Sequence, residues 1–114
     1  MTRVDISFAL GNCSRFISNP SLDHFKAVDK VWSYLQGTKH YSLTYKATNQ
    51  PPQLLAYCDS DWGNDYTTRR STTGYVFTFG GMAVSWSLKL QKTVALSSYE
   101  AEYIALKEAI KEFK

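Results

Sequence analysis

Leu54–Gly63 reads L-L-A-Y-C-D-S-D-W-G, and the rest of the chain is arranged around it. Mostly apolar residues run straight into Asp59 and Asp61. A buried strand does not normally end on two carboxylates, because an unpaired buried charge is expensive. Acids in that position hold a metal, pair with a base, or escape into a loop. A second acidic run, S-S-Y-E-A-E-Y (Ser97–Tyr103), stands at the start of a helix. Together the two runs read as half of a metal site at one strand end.

Downstream of the first strand, W-G-N-D-Y-T-T-R-R (Trp62–Arg70) is a polar loop. Thr72–Phe79 reads as a second strand, Gly80-Gly81 as a two-residue hairpin turn, and Met82–Ser87 as a third strand. Pairing outward from the turn sets Phe79 opposite Met82, Phe77 opposite Val84 and Tyr75 opposite Trp86, all on one face. The other face holds Thr78 with Ala83 and Val76 with Ser85. Ser87–Val94 reads as a loop, and a helix runs from about Ser98 to the end. Ser97 and Glu100 form its capping box, S-x-x-E. That role is sufficient for Glu100. Glu102 shares a face with Ala105, Leu106 and Ala109, small and apolar positions suited to close packing on a sheet. In a β-β-β-α layout this face carries Glu102 toward Asp59. Carboxylates so placed suit a hard divalent ion such as magnesium. The alternative is that Asp59 and Asp61 open a turn while Glu102 is solvated.

Upstream, residues 5–17 place Ile6, Leu10, Cys13 and Ile17 on one helical stripe, and Asn19-Pro20 stops that helix. Ser21 caps the next, in which Phe25, Val28, Val31, Trp32 and Leu35 recur at three- and four-residue steps; Gly37 suits its C-terminal cap. Lys26 and Lys30 read as its solvated side. Tyr41–Tyr45 alternates in the manner of a strand. Residues 47–53, A-T-N-Q-P-P-Q, read as a linker between a segment over 1–46 and a domain over 54–114.

A chain of 114 residues, 44% hydrophobic and 15% aromatic, has enough apolar surface for a core, which excludes a disordered chain. The net charge of +3 comes entirely from residues 1–50, with six Lys/Arg against three acids; the remainder balances seven against seven. Cys13, Cys58, His24 and His40 stand alone, which argues against zinc and for a reducing, intracellular and cytoplasmic location. Neither a signal-peptide layout nor a membrane-length apolar run is present.

Three runs carry a family resemblance: L-L-A-Y-C-D-S-D-W-G-N-D, R-R-S-T-T-G-Y-V-F, and S-W-S-L-K-L-Q-K-T-V-A-L-S-S-Y-E-A-E-Y-I-A-L. They resemble the N-terminal half of the ribonuclease H domain in copia-type LTR-retrotransposon polyproteins. The run from Asp5 to Thr38 is similar to the segment before it, at the C-terminal end of the reverse transcriptase. The expected fold class is α/β of an α+β-like kind, with two N-terminal helices followed by a truncated ribonuclease H-like β-β-β-α unit.

The resemblance implies magnesium-dependent cleavage of the RNA strand in an RNA–DNA hybrid, in a polyprotein that also carries an RNA-directed DNA polymerase. It assigns catalysis and magnesium binding to Asp59 and Glu102, and makes the hybrid and the remainder of the polyprotein the partners, with no membrane. The family's third carboxylate lies on a strand beyond the first helix, and this chain ends before it, so the chain alone is expected to be inactive. Val4 and Tyr99 also depart from the family pattern, away from the site. Arg69, Arg70, Lys89 and Lys92 flank the acids and are candidate phosphate contacts. The competing reading is a non-catalytic nucleic-acid-binding remnant or interaction module.

Overall fold

The computed structural model describes residues 3–47, 49 and 51–113. Thr48 and Gln50 of the expected linker lie outside the described residues. The chain divides into two compact units, residues 1–42 and 43–114. In all, the described residues form an α+β mixture of three α-helices and one three-stranded antiparallel sheet.

The sheet grows from its tightest turn. Gly80 and Gly81 have φ of 59° and 83°, the left-handed values that a two-residue hairpin turn needs at both central positions. They join β2 (Thr72–Phe79) to β3 (Met82–Leu90). β1 (Leu54–Asp61) pairs with the other side of β2, giving the order β1-β2-β3.

The register departs from simple outward counting. Phe79 does pair with Met82 and Thr78 with Ala83, but Phe77 pairs with Ser85, Val76 with Trp86 and Tyr75 with Ser87. The skipped residue, Val84, is the extra residue of a β-bulge. A bulge inserts one residue in one strand and so exchanges the faces beyond it. Trp86 therefore leaves the Tyr75–Phe77 face. Two strands also run longer than their apolar cores suggest: β1 continues through Asp61, and β3 reaches Leu90.

The last helix covers one face of the sheet. Numbered in chain order, the helices are α1 (Ser7–Ser14), α2 (Leu22–Gly37) and α3 (Ser98–Glu112). α3 lies over β1 and β2. Its contact stripe is Ala101, Ala105 and Ala109, at most 4% exposed. Alanine at every fourth position lets the helix backbone sit close to the sheet. Glu102 and Leu106 lie beside this stripe and are exposed, so the expected packing face is rotated by one position. Phe77 is buried beneath α3, with its ring stacked on Phe113 at 6.2 Å between centroids. The end of β3 is tied in by buried Gln91. Its amide Nε2 donates to Thr73 Oγ1 (2.9 Å) and to the Ala101 carbonyl (3.0 Å), and its backbone N–H donates to the Ser71 carbonyl (2.8 Å).

In the first unit, a 3-10 turn (Val4–Ile6) leads into α1, which packs against α2. Ile6 is buried, but Phe25, Val28 and Trp32 on the α2 stripe are exposed. His24 stacks on Phe16 at 4.1 Å and accepts the Ser21 backbone N–H at 2.9 Å, which accounts for it as a packing and capping residue. Gly37 is the last residue of α2 rather than a left-handed cap; the turn is closed by Thr38, whose hydroxyl donates to the Tyr34 carbonyl at 2.7 Å. Thr38 in turn accepts from Arg3, which also forms a two-bond ion pair with Asp5 (3.0 and 2.8 Å). Arg3 holds the Asp5 carboxyl down at a pKa of about 2, helped by the Tyr34 hydroxyl, which donates to it at 2.9 Å.

The expected strand at Tyr41–Tyr45 does not form. These residues join no ladder; Tyr45 instead donates its hydroxyl to the Ala83 carbonyl at 2.6 Å. Alternation supplies a strand's side-chain pattern but not a partner edge. That bond helps explain why the division between units falls at Ser42/Leu43, ahead of the proline-rich stretch.

Candidate metal and nucleic-acid site

Topology gathers the singled-out residues at one end of the sheet. The C-terminus of β1, the N-terminus of β2 and the C-terminus of β3 lie together, as the row Ser60–Thr73–Lys89 requires. α3 begins at the same end: Ala101, in its first turn, accepts from Gln91, the residue after β3. Two loops meet there. The Trp62 indole N–H donates to the Ala95 carbonyl at 3.2 Å, and Gln91 bonds to Ser71.

The start of α3 separates its two glutamates. Ser97 accepts the Glu100 N–H at 3.1 Å, and the Glu100 carboxylate reaches back to the Leu96 N–H at 2.7 Å. Glu100 is thereby used within the cap, a contribution of about 0.5–2 kcal/mol to the helix start. Glu102 is directed to the strand. Its carboxylate accepts the backbone N–H of Ser60 at 3.3 Å, the amide directly after Asp59. Asp59 pairs with Gly74 and, by alternation, lies on the face away from α3. The Glu102 carboxylate thus lies against the strand backbone next to Asp59, while the Asp59 side chain leaves β1 on the other face.

Asp61 is engaged differently. Its carboxylate accepts from the Asn64 amide and shapes the first turn of the loop. That loop is centred on Asp65, which sequence reading passed over as one polar residue among several. Asp65 is buried and accepts from the Thr67 hydroxyl (3.0 Å), the Thr68 N–H (3.3 Å) and the Thr68 hydroxyl. The Arg69 N–H donates to the Asp65 carbonyl at 2.7 Å, and Arg69 has a φ of 57°. A D-x-T-T string is the signal that marks such a loop, since Asp and Thr side chains bond to backbone a few residues on. Arg69 is exposed and Arg70 half-buried on this loop, with Lys89 and Lys92 across the Ser71–Gln91 bond.

Asp59 and Glu102 offer hard oxygen donors of the kind magnesium takes, and both are solvent-accessible. The buried hydroxyl of Ser60, the residue after Asp59, has no hydrogen-bond partner among the described residues. In kind, then, the residues fit a divalent cation. In number they fall short: among the described residues no group of three or more His, Cys, Asp or Glu is placed to hold a metal. No described helix is long and apolar enough to cross a membrane.

Comparison with known proteins gives several relatives. The chain is similar to the retrovirus-related Pol polyprotein from transposon TNT 1-94 of Nicotiana tabacum, 49% identical over 111 residues, which cover 97% of this chain and 8% of that protein. It is similar to the secreted RxLR effector protein 161 of Plasmopara viticola, 46% identical over 112 residues, 98% of this chain and 78% of that protein. It is also similar to the retrovirus-related Pol polyprotein from transposon RE1 of Arabidopsis thaliana, 41% identical over 102 residues, 90% of this chain and 7% of that protein. The chain therefore spans under a tenth of the two polyproteins. No protein-family model and no solved structure matches it.

Proposed function

The chain is a relative of the retrovirus-related Pol polyproteins of transposons, and from that premise we propose that it is a copia-type segment joining the end of the reverse transcriptase (residues 1–46) to the first half of a ribonuclease H domain (residues 54–114). The substrate of that domain is the RNA strand of an RNA–DNA hybrid. The remainder of the polyprotein is its partner, and an intracellular location fits the two free cysteines, Cys13 and Cys58.

One observation carries the reading: the Glu102 carboxylate sits on the amide that follows Asp59, at the sheet end where the basic loops converge. Asp59 and Glu102 would hold magnesium there. When bound, magnesium supplies Lewis-acid stabilisation of the phosphodiester oxygens and an activated water. The chain's own residues have three tasks. Asp59 and Glu102 fix the cation's place on the strand. The Ser60 N–H sets the rotamer of Glu102 before the ion arrives. Arg69, Arg70, Lys89 and Lys92 neutralise the phosphates that flank the cut.

Two-metal hydrolysis needs enough carboxylates to hold two ions about 3.5–4 Å apart. Two are too few, so the chain alone is a binding unit and the catalytic unit is a longer protein. The test is cleavage of an RNA–DNA hybrid by the purified chain in magnesium. No cleavage is expected from the chain. Cleavage should appear when a family-like C-terminal segment carrying the third aspartate is appended, and should disappear again with Asp59→Asn. Robust cleavage by the 114-residue chain that is lost in Asp59→Asn would overturn the incomplete-site reading.

A further inference from the structure

A cleft of about 380 Å³ opens on the opposite flank of α3 from Glu102, between that helix and β3. Four lysines surround it: Lys89 from β3, Lys92 from the loop after it, and Lys107 and Lys111 from α3. Its floor includes Tyr75 and Ser87. The volume lies at the small end of the roughly 300–1,000 Å³ usual for ligand pockets.

The charges do not cancel inside it. Glu108, the acid in the lining, pairs with Lys111 at 2.6 Å. That hydrogen bond is the main cause of a lowered Glu108 pKa, and the nearby charges of Lys107 and Lys92 lower it further. Glu112, just outside, accepts the Ser85 hydroxyl at 2.9 Å. Among the described residues no ion pair joins Lys89, Lys92 or Lys107. Burial is the main cause of a raised Tyr75 pKa, which keeps its hydroxyl protonated at neutral pH. Buried Gln91 also lines the cleft, and its Oε1 has no hydrogen-bond partner among the described residues.

We propose that this cleft is a phosphate-binding site, separate from the carboxylates, that takes phosphate oxyanions carried on a nucleic-acid strand or on a free polyphosphate. Lysines are compact point charges suited to phosphate. A phosphoryl group presents several strong acceptor oxygens at once, so ammonium and hydroxyl donors on opposite walls can share it. A lone carboxylate leaves most of the three lysines unmatched. The site extends the nucleic-acid reading of Lys89 and Lys92, adds Lys107 and Lys111, and does not require the metal.

The test uses the full chain in EDTA, which separates this cleft from any magnesium site. One arm titrates a labelled thymidine oligonucleotide, and the other titrates inorganic tripolyphosphate. Lys92→Glu/Lys107→Glu should weaken binding about tenfold or more, and Lys92→Gln/Lys107→Gln should weaken it less. For the oligonucleotide, the salt slope should fall by about 0.7 per lysine lost. Lys30→Glu/Lys39→Glu, in the first unit, should change affinity less than twofold. Lysine-dependent binding of tripolyphosphate assigns a free polyphosphate; lysine-dependent binding of the oligonucleotide alone assigns the strand. Both support the site. No binding in either arm, an equal loss in the Lys30/Lys39 control, or displacement by polyglutamate but not by tripolyphosphate would overturn it. Circular dichroism of each variant checks that the fold is kept.

Discussion

Replacing Ala105 by leucine should dislodge α3 from the sheet. Ala105 is 0% exposed, in the middle of the Ala101–Ala105–Ala109 stripe on β1 and β2. Leucine adds three carbons where the helix backbone meets the strands. Overpacking of this kind typically costs about 1–3 kcal/mol. For the unit spanning residues 43–114, total stability is about 4–11 kcal/mol at roughly 0.05–0.15 kcal/mol per residue. The variant therefore removes a large fraction of it. At about 4–8 °C per kcal/mol for a domain of this size, the melting temperature should fall by about 4–24 °C. Ala105→Gly separates space from helix propensity, because it empties the contact and costs only about 1 kcal/mol. Tyr103→Ala, at a position 68% exposed, should stay within about 0.5 kcal/mol. Thermal melts followed by circular dichroism rank the three. If Ala105→Leu melts with the parent, or Ala105→Gly is the worse of the two, close packing of α3 on the sheet is not what the alanines provide.

Three further outcomes follow from the same structure. Gly81 holds a φ of 83° with no atom within 4 Å of an added Cβ, so Gly81→Val should cost about 1–2 kcal/mol from backbone strain alone, and Gly81→Asn much less, in urea titrations. Asp65→Ala should cost about 1.5–3 kcal/mol through lost bonds to a charged acceptor, and limited trypsin digestion should then cut faster after Arg69 and Arg70. Asp5 has its pKa lowered to about 2, so the stability it lends is present above the unfolded value of about 3.9 and is lost as pH falls through the interval down to about 2. Asp5→Asn should flatten the urea midpoint across that interval, and an unchanged slope would show that the Arg3 pair contributes nothing.

Local chemistry made much of this readable. Gly80-Gly81 named its own turn, Ser97 and Glu100 named the start of α3, and the order of elements from β1 to α3 followed. What failed was what depends on distant neighbours. The Val84 bulge leaves no mark in alternation, so every pair beyond it was one residue out. Tyr41–Tyr45 has strand alternation without an edge to join. At the site, the capping role of Glu100 was legible from helical spacing. The pinning role of Gln91 was not, because its partners Thr73 and Ala101 are remote in sequence, whereas the loop centre at Asp65 had a local signal in its D-x-T-T string. Lys107 and Lys111 were not singled out by the sequence, and only the placement of α3 on the sheet brings them to the cleft that Lys89 also lines.

The central claim is that Asp59 and Glu102 hold one divalent ion together, across the Ser60 amide. Manganese, a paramagnetic stand-in for magnesium, tests it directly by selective broadening of amide signals in the ¹⁵N-labelled chain. Broadening should begin at Ser60 and at the Glu102 turn of α3, and should be lost in Asp59→Asn and in Glu102→Gln alike. Broadening that survives either single substitution, or that centres away from Ser60, would contradict the shared site.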